Sequence, residues 1–488
     1  MKIIALLVAA LAAVAAPTAA AASPADELPQ RFDGCLAEPV PAPAAPSPPR
    51  ARAAAGPSVR RTIRDAAEKG AIAPEDAARY EAEYERALDV RKRIPYQRRL
   101  ELTSVVRTLE GFARDRTLTV SRMPVLFRQL AQNTDWWSQN GPPVRPMPPG
   151  ASRPCAGGNG VRIDRVVKDD VVYQWYAGQG LQIQQLGTFG RANALAKACT
   201  EPRPNLRCRP DAMRRALDAV VSLAVERGGF LAWEYYFAFG GGRPPWISGL
   251  AQATAMQALV RGYKHFGDPR YLDVARRALG AFRRRAPVGV RVSTDAGSHF
   301  LIYSFNPGLR VLNGFLQALV GLYDYAEAAG DEEARRLFAS GERQARLEVP
   351  RHDTGAWSLY SATTGAESDL GYHRLVHDFL RNLCARIGTE PYCGTEKRFT
   401  SYLYEPPKLR FTGRQKAGAA TFALSKISCV TLTVERGGQV VTSVSRVLGR
   451  GTKQLFWRVP RKGKFVVRVV AQDLMGRRAE TETTVTAR

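Results

Sequence analysis

A four-residue string occurs twice in this chain. Gln257-Ala258-Leu259-Val260 returns as Gln317-Ala318-Leu319-Val320, 60 positions later. The sequence downstream of each copy matches as well. A helical stretch runs to a Gly-Asp pair (Gly267-Asp268 and Gly330-Asp331). A second amphipathic helix then carries Arg276-Arg277 or Arg335-Arg336. A period this long holds two helices and a loop, so it predicts stacked αα-hairpins rather than a short solenoid unit. Such hairpins bury their apolar faces only against their neighbours, and a stack of them can close into an α/α toroid. The expected architecture is mainly α, with a toroid or barrel-like helical domain over 155–404.

After Pro407 the hydrophobic period changes to two. Val430-Thr431-Leu432-Thr433-Val434, the run from Gln439, the run from Gln454 and the run from Lys464 all alternate like strands. Gly437-Gly438, Gly449 to Gly451 and Gly463 separate them. Short strands at this spacing predict a small Ig-like β-sandwich over 405–488. Upstream, 59–140 reads as a charged helical region. Tyr80, Tyr84 and Leu88 fall on one face at i, i+4 spacing and are expected to pack. Residues 24–58 are rich in Pro and Ala and read as a linker.

Residues 1–23 read as a signal peptide. Lys2 precedes an apolar run from Ile3 to Ala16, and Ala20-Ala21-Ala22 offers a small-residue cleavage site. The expected location is therefore secreted, extracellular or cell-envelope associated. No later stretch predicts stable membrane insertion. Seven cysteines suit an oxidising compartment. Cys199 with Cys208 and Cys384 with Cys393 are the expected local bridges, and Cys35 with Cys155 a looser pairing. That leaves Cys429 unpaired. No Cys-x-x-Cys occurs, and neither a metal nor a redox cofactor is expected.

The formal net charge is +26. Such a surface attracts polyanions. For an exported protein the expected partner is an acidic polysaccharide rather than nucleic acid, with a homodimer left open.

Five segments, in order, carry a resemblance to a known family. They are Gly178-Gln179-Gly180-Leu181-Gln182-Ile183-Gln184; Phe230-Leu231-Ala232-Trp233-Glu234-Tyr235; Pro245-Trp246-Ile247-Ser248-Gly249-Leu250-Ala251-Gln252; Tyr303 with Leu312-Asn313-Gly314-Phe315; and Asp353-Thr354-Gly355 with Tyr360 and Tyr372-His373. Over roughly 170–390 the chain resembles the D-glucuronyl C5-epimerases, which convert D-glucuronate to L-iduronate in heparosan-type polymers. The resemblance implies an exported epimerase acting on a uronate polymer, with Tyr303, Tyr360 and Tyr372 as its active-site tyrosines. Two positions depart from the animal enzymes. Ile302 stands where they carry glutamate, and Val376 where they carry a second histidine, with His377 one step on.

The chemistry explains why tyrosines suit this site. Epimerisation at C5 removes a weakly acidic proton next to a carboxylate and returns one from the opposite face. A phenol, itself a weak acid, can carry such a proton if the site tunes it. Tyr360 and Tyr372 are expected as the opposed pair, with Tyr303 able to replace either. Arg243 and Arg310 are candidates for neutralising the carboxylate. His373 is a candidate for tuning Tyr372 or binding that carboxylate. Gln252 and Asn313 would hold loops or hydroxyls, and Trp246 would stack on a sugar. A lyase or hydrolase on the same toroid remains an alternative. The hydrolase would need two carboxylates from Glu234, Asp353, Glu367 and Asp369. A noncatalytic glycan- or envelope-binding protein is the third reading.

Overall fold

The structure, a computed structural model, describes residues 56–143, 165–200 and 207–487. The signal-peptide assignment, most of the linker and the Cys35–Cys155 pairing lie outside these residues.

Four helices open the described chain: α1 (Val59–Glu68), α2 (Pro74–Arg93), α3 (Tyr96–Arg114) and α4 (Met123–Gln139). Tyr80 and Tyr84 are buried as expected, and Tyr80 stacks on Phe127 at 4.6 Å. These helices share one apolar core with the helices that follow. They also brace the first family-like segment. Glu101 of α3 accepts hydrogen bonds from the backbone N–H groups of Gly178 and Gly180 at 2.9 and 2.8 Å. Asn133 of α4 bonds both the N–H and the carbonyl of Leu181. Gly180 has φ +75°, and a Cβ there would meet the Asn133 side-chain oxygen at 2.7 Å. Glycine is thus required twice over, by conformation and by close approach.

Next come α5 (Gln185–Thr200), α6 (Pro210–Ser222), α7 (Gly249–Phe266), α8 (Pro269–Ala278), the single turn α9 (Gly280–Arg283), α10 (Leu312–Ala329), α11 (Glu332–Glu348), α12 (Leu370–Ile387) and α13 (Tyr392–Tyr402). The repeated string marks the middles of α7 and α10. Each helix has 18 residues and ends at a left-handed glycine, Gly267 at φ +68° or Gly330 at φ +63°. The aspartate after each glycine caps the next helix through its side chain, Asp268 for α8 and Asp331 for α11. The two copies also meet in space. Gln317 donates to Gln257 at 3.3 Å, and a Cβ on Gly321 would lie 2.6 Å from the Ala253 carbonyl oxygen. A third unit has the same form, with α12 ending at Gly388 (φ +70°) before α13. Its string differs, so the repeat is visible only in the structure.

Helices α5, α7, α10 and α12 pack side by side, and α6, α8, α11 and α13 each cover the helix before them. The sequence fits these positions. Helix α10 is buried nearly all round, from Leu312 through Ala326. Helix α8 buries only Tyr271, Ala275 and Ala278. The expected bridges Cys199–Cys208 and Cys384–Cys393 are both formed, and each ties one hairpin.

The last part is two antiparallel sheets around one core of residues such as Phe422, Val430, Leu432, Phe465 and Val467. In the three-stranded sheet, Ala419–Leu424 lies between Leu409–Phe411 and Gly451–Phe456. The four-stranded sheet runs in the order Gln439–Leu448, Ser428–Arg436, Gly463–Asp473, Arg478–Ala487. Alternation exposed four of these strands in advance. Leu409–Phe411 and Ala419–Leu424 escaped it, the first being too short for a period to register. Arg478–Ala487 alternates Thr and Glu with little apolar content, as an edge strand can. One expectation is corrected: Cys429, read as unpaired, is disulfide-bonded.

The sheets are fastened to the helices by buried polar groups. Lys426 pairs with Asp473 at 2.7 Å and donates to the carbonyls of Tyr402 and Glu405. Glu367 accepts from the backbone N–H groups of Ile427 and Arg450. No described helix is long and apolar enough to cross a membrane.

Candidate functional site

Three loops, each delivering the chain to the N-terminus of α7, α10 or α12, carry Tyr303, Tyr360 and their neighbours, while Tyr372 stands in the first turn of α12 itself. The first contains the paired strands Glu234–Tyr235 and Trp246–Ile247 and ends at Ser248, which caps α7. The second contains Ser298–Phe300 and Tyr303. The third contains Leu359–Ser361 with Tyr360 and ends at Asp369, which caps α12 by accepting from Tyr372 N–H at 2.8 Å.

Hydrogen bonds lace the loops together. Ser304 and Ile247 exchange bonds between the first and second, and Gly249 N–H donates to the Leu301 carbonyl. The second meets the third through His299 and Glu348, the last residue of α11. His299 Nδ1 lies 2.9 and 3.1 Å from the two carboxylate oxygens. In the third, His352 Nδ1 donates to the Glu348 carbonyl and Nε2 accepts from Ala362 N–H. That fixes the neutral tautomer, and burial holds the His352 pKa below its ordinary value.

All three tyrosines are buried. Tyr360 and Tyr372 are in edge-to-face contact, with ring centroids 4.8 Å apart at 71°. Tyr303 belongs to an aromatic cluster with Phe239, Trp246 and Phe305, at centroid distances of 5.5, 5.9 and 5.6 Å.

Trp246 is buried. It stacks on Tyr235 at 4.2 Å and donates its indole N–H to the Phe237 carbonyl. It shapes the wall behind Tyr303 rather than offering an open stacking face. Gln252 is fully buried and clamps the backbone of Trp233, accepting from its N–H and donating to its carbonyl. Both are building residues of the site. Asn313 accepts from Gly314 N–H at 2.6 Å, and its buried amide nitrogen has no partner among the described residues. An unmet donor of this kind is costly unless something else satisfies it.

His373 has no ring nitrogen to offer a substrate. Nε2 donates to the Phe399 carbonyl, which leaves Nδ1 to accept from Ser358 Oγ. The ring stacks on Trp357 at 3.7 Å, and burial pulls its pKa down to about 3. It is a neutral wedge that fixes the first turn of α12, where Tyr372 sits. Arg243 is exposed. Arg310 reaches Glu348, with Nη1 3.6 Å from Oε1.

Sequence reasoning missed His299 and Glu348. Burial alone would push the Glu348 carboxyl up. Hydrogen bonds from His299 and Gln344 and the positive charge of Arg310 outweigh it and hold the carboxyl below its usual range. His299 Nε2 is buried and unpartnered among the described residues. The only signal in the sequence was His299 at the polar edge of the apolar run Phe300-Leu301-Ile302.

The four carboxylates from which a hydrolase would draw its two are committed elsewhere. Glu234 is fully buried between Arg122, which grips it with two nitrogens, and Arg227. Asp353 closes the expected turn by accepting from Gly355 N–H, and it also binds Arg398 and Tyr402. Glu367 holds the sheets, and Asp369 caps α12. Ile302, in the glutamate position, is buried, and its Cβ would lie 2.8 Å from a Cβ on Gly314. Val376 is buried too, while His377 bonds Glu396 and Thr400 between α12 and α13. Cys199, Cys208 and His265 lie together, but the bridged sulfurs are not thiolates and offer no metal site.

Residues 227–401 match the family model described as D-glucuronyl C5-epimerase C-terminus. This segment belongs to that family. It contains Tyr303, Tyr360 and Tyr372. The D-glucuronyl C5-epimerase of Caenorhabditis elegans is 32% identical over 181 residues, covering 33% of this chain and 29% of that protein. An uncharacterized protein of Methanocaldococcus jannaschii is 30% identical over 180 residues, covering 35% of this chain and 57% of its own length. The chain thus spans less than two thirds of either relative. Solved structures resemble it more loosely. A sugar epimerase from a ruminal bacterium aligns at TM-score 0.32 and 13% identity, over 45% of this chain and 60% of that one. A D-mannose isomerase aligns at TM-score 0.34 and 11% identity, over 62% and 73%.

Proposed function

We propose that the protein is an exported carbohydrate epimerase that inverts C5 of D-glucuronate residues in an acidic polysaccharide. The observation that carries this reading is the contact between Tyr360 and Tyr372, two buried phenols on separate elements within the family segment. Tyr360 and Tyr372 are the opposed proton carriers. Tyr303, on the neighbouring loop, can replace either. One side removes the C5 proton, and the other returns a proton to the carbanion. Each correctly held proton carrier supplies roughly 10²–10⁴ in rate. The unmet Asn313 amide donor suits a substrate hydroxyl or the carboxylate. Arg310, partly exposed beside Glu348, and Arg243 are the cations for that carboxylate. His373 acts by positioning Tyr372. In this reading the helix row is part of an α/α toroid, the sheets form an Ig-like sandwich, and residues 1–23 direct export.

The test is incubation with heparosan in D₂O. Deuterium at C5, with no chain cleavage and no unsaturated product, supports the epimerase. Cleavage with unsaturation would replace it with a lyase. Binding without exchange across several polyuronates would leave a noncatalytic glycan-binding protein.

A further inference from the structure

Charge in the two-sheet unit is unevenly spread. From residue 405 onward there are 17 Lys and Arg against 5 Asp and Glu. None of those acids lies in the three-stranded sheet. Glu480 and Glu482 pair with Arg468 on the other sheet, and Asp473 pairs with buried Lys426. The three-stranded sheet and its turns carry cations alone.

Register tells which way they face. Ala420, Phe422 and Leu424 point into the core, and Leu455, which pairs with Ala420, does the same. Residues one step out of phase must face outward. That row holds Arg410, paired with Ala423, and Phe456, paired with Ala419. Gln454 and Thr421 share the face and hydrogen-bond to each other at 3.1 Å. Phe456 is 70% exposed, the most exposed large apolar side chain described. Lys416 forms a backbone bridge with Ala419, the cross-strand neighbour of Phe456, and Arg458 lies two residues after Phe456. Arg414 is in the turn leading to Lys416. These four cations are exposed, and none makes an ion pair among the described residues.

An exposed phenyl ring on a sheet whose cations make no ion pair among the described residues suits a partner that is anionic and has apolar faces. A nucleic acid base or a sugar ring could cover the phenyl. The export-type N-terminus and the uronate chemistry of the neighbouring site favour the sugar. We propose that the outer face of the three-stranded sheet is a docking surface for an anionic polysaccharide. A sugar ring lies on Phe456, and carboxylates or sulfates meet Arg410, Arg414, Lys416 and Arg458. The surface holds the polymer while the tyrosine loops act on it. The choice of polymer rests on the uronate epimerase reading, but the surface itself does not.

The experiment uses the full chain with three probes: heparosan, neutral dextran, and single-stranded DNA of matched charge. The double variant Lys416→Glu/Arg458→Glu should weaken heparosan binding at least tenfold, since charge reversal at two contacts removes attraction and adds repulsion. Phe456→Ala should weaken it about fivefold, as loss of an exposed aromatic anchor does. Both variants should keep the parent melting temperature, because the side chains are exposed. On a uronate tetrasaccharide they should exchange C5 deuterium at the parent rate, while KM for the polymer rises in step with the lost affinity. Unchanged heparosan affinity in both variants overturns the proposal. So does DNA binding as tight as heparosan binding, which would make the face a general polyanion surface. If heparosan binds through this face but no uronate polymer exchanges, the epimerase reading falls and the docking surface stands.

Discussion

The loops around the tyrosines and the outer face of the three-stranded sheet solve opposite physical problems. At the loops, most polar groups are buried and committed: Gln252 to a backbone, His373 to a carbonyl and a serine, Glu234 to two arginines. At the sheet, exposed cations make no ion pair among the described residues. The loops are built for geometry, where a shift of an ångström matters to proton transfer. The sheet is built for capture, where long-range attraction matters and precision does not. Charge and chemistry therefore occupy different parts of one chain, and the large positive charge says little about the reaction.

Variants can break or sharpen this contrast. The largest effect should come from Tyr372→Phe, which keeps the ring contact with Tyr360 but removes the hydroxyl. C5 exchange should fall by roughly 10²–10⁴-fold, with heparosan affinity unchanged. Exchange near the parent rate would remove Tyr372 from the mechanism. Tyr303→Phe should match it if Tyr303 replaces one of the pair. A small effect there would leave both proton steps to the touching pair.

Buried ion groups give the next largest effects, one in each region. Glu234→Gln leaves Arg122 and Arg227 without their counter-charge and should cost about 3–5 kcal/mol of stability, read as a fall in denaturant midpoint. Lys426→Met uncouples Asp473 and two carbonyls where the sheets meet the helices, and a cost of about 3 kcal/mol is expected. Its signature is different in kind. Unfolding should separate into two transitions as the sheets lose their fastening, whereas Glu234→Gln should keep the helical transition single. A single transition in Lys426→Met would show that Glu367 and the shared contacts suffice.

The smallest effect is a pH dependence. His373 has a folded pKa of about 3 against an ordinary value near 6.5. The unfolded chain binds the proton more readily, so stability is full above pH 6.5 and falls as pH drops towards 3. The slope approaches about 1.4 kcal/mol per pH unit for one group. Replacing His373 with Gln should flatten the thermal melting curve between pH 6.5 and 4.5. An unchanged slope would assign the acid sensitivity to His352 instead.

Much of the helical region was legible in the primary structure. The doubled Gln-Ala-Leu-Val string predicted two hairpins because identical neighbours need identical faces, and both glycine stops and aspartate caps follow local backbone rules. The third hairpin escaped because packing fixes its size and polarity but not its letters. Four strands showed themselves by alternation, while Leu409–Phe411 is too short to show a period. The site was legible in its parts rather than its roles. The tyrosines were found through a resemblance. Trp246, Gln252 and His373 looked like substrate contacts, yet their polar atoms are spent on carbonyls and backbone from distant segments. His299 and Glu348 were invisible because 49 residues separate them.

The sequence by itself determined the helical hairpins, the change to strands after Pro407, the two local disulfides and the excess of positive charge. Each is a property of neighbours along the chain, set by periodicity, spacing or composition. Only the tertiary structure decided that the Tyr360 and Tyr372 rings touch, that His373 is neutral, that Glu234 is locked between two arginines and that Phe456 is exposed on the same sheet face as Arg410. Those facts depend on burial and on partners far apart in sequence, because desolvation and hydrogen bonding act through space rather than along the chain.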